Sequence, residues 1–385
     1  MSVGIKHTHH GAASPAVDHT ELTLDGTKVD WHLDRVRAWE RGERIAPITI
    51  DMALTRACNY ACVFCYAILQ ENERKPITVP VMERFLTDCA EMGVRAISLV
   101  SDGESTLSSA YTFSIKRGHE LGISMASGTN GYLVTRDVSE EVLPCLDYLR
   151  INFDAGTPEA YSKIMGVKPD WFHRVVQNIR DMVEVKRSRG LNVTIGMQMV
   201  LMPQYGDEIL PLAQLSLDLG VDYLVIKHCS DDEDGSLGVD YSRYKSLYPI
   251  IYSAEAMSTE RTQIVAKWSK IEAKGKRSYQ RCYGPPFIIQ ISGSGLVAPC
   301  GMLFNERYRK FHIGNIVEES FKDIWQSERY WEVMSYLGSD RFDAQRMCGT
   351  LCLQHKTNEF LDEYKKGQRQ LADPDGATPL HVNFI

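Results

Sequence analysis

Between Ile48 and Ser230 short apolar runs alternate with amphipathic stretches six times, and this alternation constrains the fold more than any other feature of the chain. The spacing predicts strands over Ile48–Leu54, Ala96–Ser101, Ile123–Ser127, Tyr148–Phe153, Val193–Leu201 and Tyr223–Lys227. Helices are predicted near Val81–Met92, Ser109–Leu121, Ser139–Leu146, Trp171–Ser188 and Asp207–Leu219. Repeated βα units give a parallel sheet with right-handed crossovers. Ligands in such sheets bind at the carboxyl ends of the strands, so the residues just after each strand are the candidate site.

The loop after the first strand reads Thr55-Arg-Ala-Cys-Asn-Tyr-Ala-Cys-Val-Phe-Cys-Tyr66 and places Cys58, Cys62 and Cys65 in a C-x3-C-x2-C pattern. With 10 cysteines in 385 residues, such a triplet arises by chance about 0.007 times per chain, so the spacing is signal. Three thiolates leave one iron of a four-iron cluster with open coordination sites, where a small chelating molecule can bind next to an electron source. Zinc and buried structural thiols are the alternatives, but His32 and His119 do not stand at finger spacing from the triplet.

A net charge of −7 argues against a nucleic-acid partner. No apolar run approaches the ~20 residues needed to span a bilayer, and the polar, His-containing start lacks a signal peptide's hydrophobic region. Clustered thiols then read as metal ligands in a reducing compartment, and a cytoplasmic protein with no membrane partner is expected.

Cys58, Cys62 and Cys65, with Phe64 before the third cysteine, resemble the signature of the radical S-adenosylmethionine (SAM) superfamily. The resemblance implies an α/β fold, a partial (β/α)6 TIM barrel. It implies a [4Fe-4S] cluster on the three cysteines whose fourth iron is chelated by SAM. The reduced cluster cleaves SAM to a 5′-deoxyadenosyl radical, and the reductant is of flavodoxin or ferredoxin type. Ser101-Asp-Gly-Glu-Ser-Thr106 stands in the place of the family's Gly-Gly-Glu-Pro motif, which assigns Asp102, Gly103 and Glu104 to the SAM amino group. Thr129-Asn-Gly131 matches a family Thr-Asn-Gly and adds Asn130. Asn152 and Asp154 stand where a Ser-x-Asp pair contacts the ribose. Gln198 is carried over toward the SAM carboxylate and Ile226 toward adenine. Turn and core roles are the alternatives for each of these.

Cys89 and Cys145 read as core residues. Cys229 differs, following Lys227 and His228 at the mouth end of the sixth strand. Four acids, Asp231 to Asp234, come next; facing inward they would suit an amine-bearing substrate, facing outward they are solvated surface. Before the barrel, in 1–46, Leu33, Val36 and Trp39 recur at helical spacing, and His7, His9 and His10 read as a solvated tail or a metal site. The barrel is expected over 47–235, a polar helical bridge over 236–280, a small α+β domain over 281–355, and a helix and tail over 356–385.

That small domain carries Cys282, Cys300, Cys348 and Cys352 and a predicted hairpin, Phe287–Ile291 with Leu296–Ala298, that returns Cys300 toward Cys282. Gly295-x4-Cys300, His312-Ile-Gly-Asn-Ile316 and Phe321-Lys-Asp-Ile-Trp325 resemble the SPASM/twitch extension of radical SAM enzymes. A full SPASM domain has seven cysteines; four imply the twitch form with one auxiliary [4Fe-4S] cluster, structural zinc being the alternative.

A fully ligated second cluster implies an electron relay, hence oxidation of a secondary alcohol on a carbohydrate- or aminocyclitol-like small molecule with Lys227 or His228 as base. Epimerisation with Cys229 as hydrogen donor, peptide maturation, and an iron-sulfur carrier without catalysis are the competing readings.

Overall fold

The computed structural model describes residues 28–349 and 352–385; His7, His9 and His10 lie outside the described residues. All six strands of the alternation are present: β1 (Thr49–Met52), β2 (Ala96–Leu99), β3 (Ser124–Thr129), β4 (Tyr148–Asn152), β5 (Thr194–Leu201) and β6 (Tyr223–His228). Each pairs in parallel with the next. β1 and β2 are buried along their whole length, as parallel strands covered on both faces must be.

The crossover helices fold as their periodicity requires. In Val79–Met92 the spacing of Met82, Phe85, Leu86 and Cys89 makes one buried stripe, a proline starts the first turn, and Gly93 ends the helix in the left-handed region at φ 80°. Each fully buried side chain of this kind contributes about 1.5–3 kcal/mol. Cys89 is thus a core residue, as expected, while Cys145 is only partly buried and packs at the core's edge.

Two expectations are corrected. The stretch after 236 is not purely helical: Gln263–Ala266 forms β7, a parallel partner of β6. Its Ile264-Val265-Ala266 run is too short to announce a strand, and the free edge of β6 supplies the pairing that local sequence does not. Nor does the sheet stop at 280. The hairpin is present as β8 (Ile288–Ile291) and β9 (Leu296–Ala298), followed by β10 (Gly314–Asn315), and β8 pairs in parallel with β1. The ten strands form one sheet in the order β10-β9-β8-β1-β2-β3-β4-β5-β6-β7. The helix Pro158–Met165, not foreseen, is inserted between β4 and Asp170–Ser188.

The amino-terminal ends of the strands are sealed by the last residues of the chain. Thr49 donates its hydroxyl to the Asn383 carbonyl at 2.7 Å, His381 Nε2 lies 2.8 Å from Thr194 Oγ1, and Asn383 Nδ2 donates to Ser124 Oγ at 3.2 Å. Phe384 meets the Tyr148 ring edge-on at 4.9 Å. The helix Leu33–Glu40 covers the same end, packing Leu33 and Val36 with Phe287, Phe360 and Ile385. Among the described residues no helix is long and apolar enough to cross a membrane.

Candidate active site

The cysteine loop is fixed at its base and along its length. A Cβ on Gly103 would stand 2.1 Å from the Thr55 carbonyl oxygen, and one on Gly293 would stand 2.2 Å from the Thr55 carbonyl carbon. The loop backbone therefore passes between the turn after β2 and the turn of the β8–β9 hairpin, at a distance only glycine permits. Asp102 ties those two turns together: it accepts from Ser292 Oγ at 2.6 Å and Gly293 N at 2.8 Å, and pairs with Arg56 Nε at 3.3 Å. Farther on, Val63 N donates to the Ile164 carbonyl at 2.9 Å and Tyr60 and Tyr161 join hydroxyls at 2.9 Å. The unforeseen helix thus has a role, to hold the far side of the loop.

Burial pushes up the thiols of Cys58, to about 11, and of Cys62 and Cys65, and the neighbouring loop cysteines raise Cys58 and Cys62 further. Buried thiols that repel one another as thiolates call for a cation to replace their protons, which fits a metal cluster. The C-terminal four behave alike. Burial and then Cys352 raise Cys282 and Cys300, and burial raises Cys348 to about 12 with Cys352 contributing, so the four thiols lie in one neighbourhood. Asn358 Nδ2 and Gln354 Oε1 each lie 3.6 Å from Cys282 Sγ, and Lys270 donates to the Cys352 carbonyl at 3.0 Å. Among the described residues no three His, Cys, Asp or Glu side chains stand at the distances of a single bound ion.

One cavity of about 240 Å³ joins the two cysteine groups. Cys65, Phe64 and Tyr66 line it together with Cys300 and Cys352, Asp51 of β1, Arg150 and Asn152 of β4, Gln198 of β5, Lys227 of β6 and Gln290 of β8. Strands far apart in the sheet order face this one space, so the sheet curls into a partial barrel.

Lys227, His228, Asn152, Gln198, Asp102 and Phe64 line the cavity as the sequence reading requires. Asn152 and Gln198 are paired, Gln198 Nε2 donating to Asn152 Oδ1 at 2.7 Å. Glu104 accepts from Thr106 Oγ1 at 2.7 Å, Thr129 Oγ1 at 2.8 Å and Asn130 N at 2.8 Å. Asn130 also donates to Asn59 Oδ1 at 2.8 Å, clasping the cysteine loop. Asp154 is 1 % exposed; one oxygen accepts from Val200 N and the other, Oδ2, has no partner. That orphaned buried oxygen fits a hydroxyl-bearing ligand beside Cys62.

Six of the residues expected to meet cofactor or substrate are not in the cavity lining: Gly103, Glu104, Asn130, Asp154, Ile226 and Cys229. Ile226 is fully buried in the hydrophobic core and does not line the cavity: strand alternation gives the inward position to its neighbour Lys227. Cys229 is 0 % exposed, outside the cavity lining, with its sulfur 3.6 Å from the Ser230 carbonyl and 3.9 Å from that of Phe64. The acidic run is also turned away. Asp231 accepts backbone N–H groups of Asp232, Leu237 and Val239, and Arg307 pairs with Asp232, Glu233 and Asp234.

Sequence reasoning missed Asp51, Arg150, Gln290 and Lys270. The first three carry a legible signal, a polar residue between apolar neighbours in mid-strand: Ile50-Asp51-Met52, Leu149-Arg150-Ile151 and Ile289-Gln290-Ile291. Burial sets their chemistry. It lifts the Asp51 carboxyl to about 7 and Asp154 to about 8, brings Lys227 down to about 7 with Arg150 and Lys270 pushing the same way, and brings His228 down to about 3. His228 is 1 % exposed with no partner on either ring nitrogen, a neutral imidazole with a free lone pair.

Residues 52–215 match the family model of the radical SAM superfamily and residues 282–352 that of an iron-sulfur cluster-binding domain, SPASM. An AdoMet-dependent heme synthase of Methanosarcina barkeri is 24 % identical over 304 residues, covering 73 % of this chain and 83 % of its own. A probable GTP 3′,8-cyclase of Thermococcus kodakarensis is 28 % identical over 154 residues, 39 % of this chain and 48 % of its own, so the match spans about half of that relative. Among solved structures, Streptococcus suis SuiB bound to S-adenosylmethionine superposes with a TM-score of 0.61 at 18 % identity, covering 79 % of this chain and 72 % of that one, which bears on the fold.

Proposed function

Because the chain belongs to the radical SAM superfamily and carries a C-terminal SPASM iron-sulfur cluster-binding domain, we propose that it oxidises a secondary alcohol of a small, carbohydrate-like molecule held in the cavity between its two cysteine groups. The observation that carries this reading is that one cavity is lined by Cys65 of the first cysteine group and by Cys300 and Cys352 of the second. When loaded, with electrons from a flavodoxin- or ferredoxin-type partner, the two groups supply a 5′-deoxyadenosyl radical on the first side and an electron acceptor on the second.

Cys58, Cys62 and Cys65 would hold the SAM-binding cluster, and Cys282, Cys300, Cys348 and Cys352 the auxiliary one. Four thiolates fill the coordination of a four-iron cluster, which suits electron transfer. Gln198 and Asn152 fix one another's amides at the strand ends, and Asp154 offers its unpartnered oxygen to a hydroxyl. The chain's own chemical task is to accept the alcohol's hydroxyl proton as the carbon is oxidised. His228, whose two ring nitrogens have no partner, and Lys227 both line the cavity and are the candidates to take this proton.

Epimerisation is the weaker reading, since it needs a thiol that reaches the substrate and Cys229 is sealed behind the Phe64 and Ser230 carbonyls. The acidic run, spent on its own loop and on Arg307, gives no support to an amine-bearing substrate.

The experiment is to incubate the anaerobic, cluster-loaded protein with candidate polyols and SAM and measure 5′-deoxyadenosine. The expected result is substrate-dependent 5′-deoxyadenosine with a product lighter by two hydrogens, formed also by Cys229→Ala and lost in Cys300→Ala. An isomeric product carrying deuterium from D2O at a former C–H position would overturn the reading in favour of epimerisation.

A further inference from the structure

The interior of the cavity holds more positive charge than the protein neutralises. Arg150 of β4 and Lys227 of β6 line it from strands that flank β5 on either side, and the register sets Arg150 opposite Gly196 and Lys227 opposite Val200. Gly196 makes room for the buried Tyr223 ring, whose atoms stand 2.1–2.4 Å from where a Cβ on Gly196 would be. Among the described residues neither cation has an ion-pair partner within 4 Å, and the buried Arg150 Nε has no hydrogen-bond partner. The guanidinium stands over the Tyr148 ring at 5.9 Å, and Tyr223 and the Asp51 carboxyl also act on it.

Lys270 and Arg277 differ from this pair. Cys352 acts on both, Cys348 on Arg277 as well, and Lys270 bonds the Cys352 carbonyl, so their charge belongs to the C-terminal cysteines. The groups that act on Arg150 are Tyr148, Tyr223 and Asp51, and those that act most on Lys227 are Arg150, Lys270, Asp154 and Cys229, with no cluster cysteine among them. Among the described residues neither carboxyl forms an ion pair with Arg150 or Lys227 within 4 Å. Burial and Arg150 disfavour the charge on Lys227, and an anion bound between the two groups would offset that cost.

We infer that Arg150 and Lys227 form an anion subsite, and that the substrate carries a carboxylate or phosphate which docks there with its alcohol toward Cys65. A guanidinium takes either anion in bidentate fashion and an ammonium adds a point charge. This deepens the functional reading above and rests on it for taking the cavity as the substrate site. The substrate class becomes a sugar acid or sugar phosphate in place of an aminocyclitol.

The test uses the anaerobic protein loaded with iron, sulfide and SAM, so that the cofactor's own carboxylate is already placed. Its unfolding temperature is followed while sodium chloride is replaced, at constant ionic strength, by sodium phosphate or by sodium acetate. The inference predicts a rise of about 2 °C at an anion concentration ten times its dissociation constant, with the larger response naming the anion. The rise should vanish in Lys227→Met and Arg150→Gln and persist, reduced, in Arg150→Lys. In chloride alone Lys227→Met should unfold at or above the wild-type temperature, because an unpaired buried charge has gone. No anion response in the wild type, an equal response in the variants, or a lower unfolding temperature of Lys227→Met in chloride overturns the inference. A parallel arm compares glucose, glucuronate, glucose 6-phosphate and glucosamine for SAM-dependent 5′-deoxyadenosine formation. Silence from all four counts against the functional reading and leaves the thermal result standing, whereas a response to glucosamine above both anions counts against the subsite.

Discussion

Gly103 lies against Thr55 so closely that a Cβ on it would stand 2.1 Å from the Thr55 carbonyl oxygen, with the glycine at φ 116°. The motif residue expected to serve SAM therefore has a second task, to let the turn after β2 touch the root of the cysteine loop. Gly103→Ala meets both a backbone clash and a forbidden φ, and should cost more than about 2 kcal/mol. The protein should load less iron on the first site while the C-terminal site fills normally, read as iron per chain after reconstitution.

Glu104 holds four donors with its two oxygens, among them the Asn130 N–H on Oε2 and the Thr129 hydroxyl on Oε1. In Glu104→Gln an NH2 group must face one of these donors and the negative charge is lost. SAM should bind more weakly by about 1.5–3 kcal/mol if its ammonium meets this carboxylate. Equilibrium binding of SAM to the loaded protein measures it, and an unchanged dissociation constant removes Glu104 from the ammonium contact.

Asp51 gives the fold a dependence on pH. Its carboxyl is lifted by burial from 3.8 to about 7 in the folded protein, so between those values the folded state binds more protons than the unfolded state. Stability from this group is full below about pH 4 and is lost as pH rises through about 7. Asp51→Asn should flatten the fall in unfolding temperature between about pH 4 and pH 7; the same slope in both proteins would show that Asp51 does not titrate in this window.

Removing residues 379–385 opens the lower end of the barrel. The hydrogen bonds from Thr49 and to Ser124 and Thr194 go, with the Phe384 ring against Tyr148. A loss of roughly 3 kcal/mol follows from the buried hydrogen bonds and the ring. Urea unfolding of the truncated protein checks it.

The six strands and five crossover helices were legible because each is a short apolar run or a one-sided stripe long enough to bury a face. β7 was not, since Gln263–Ala266 is stabilised by the edge of β6 rather than by its own sequence. The pairing of β8 with β1 joins residues about 240 apart in the chain, and the tail's seal on Thr49 joins residues farther apart still. Neither leaves a local trace. The cysteine groups were legible from spacing alone. Ile226 could have been set aside from the same alternation that points Lys227 inward, and Asp51 and Arg150 could have been found as charged residues in the middle of apolar strands. Lys270 could not, because only the fold brings Trp268–Glu272 beneath the cavity.

The central claim is that two separate iron-sulfur sites flank one cavity, and iron counting tests it most directly. The reconstituted protein should hold about eight irons per chain and no zinc, about four after Cys58, Cys62 and Cys65 are changed to alanine, and about four after Cys282, Cys300, Cys348 and Cys352 are changed. Four irons with one zinc in the unchanged protein would contradict it, because a zinc site beside Cys300 and Cys352 accepts no electron from the substrate.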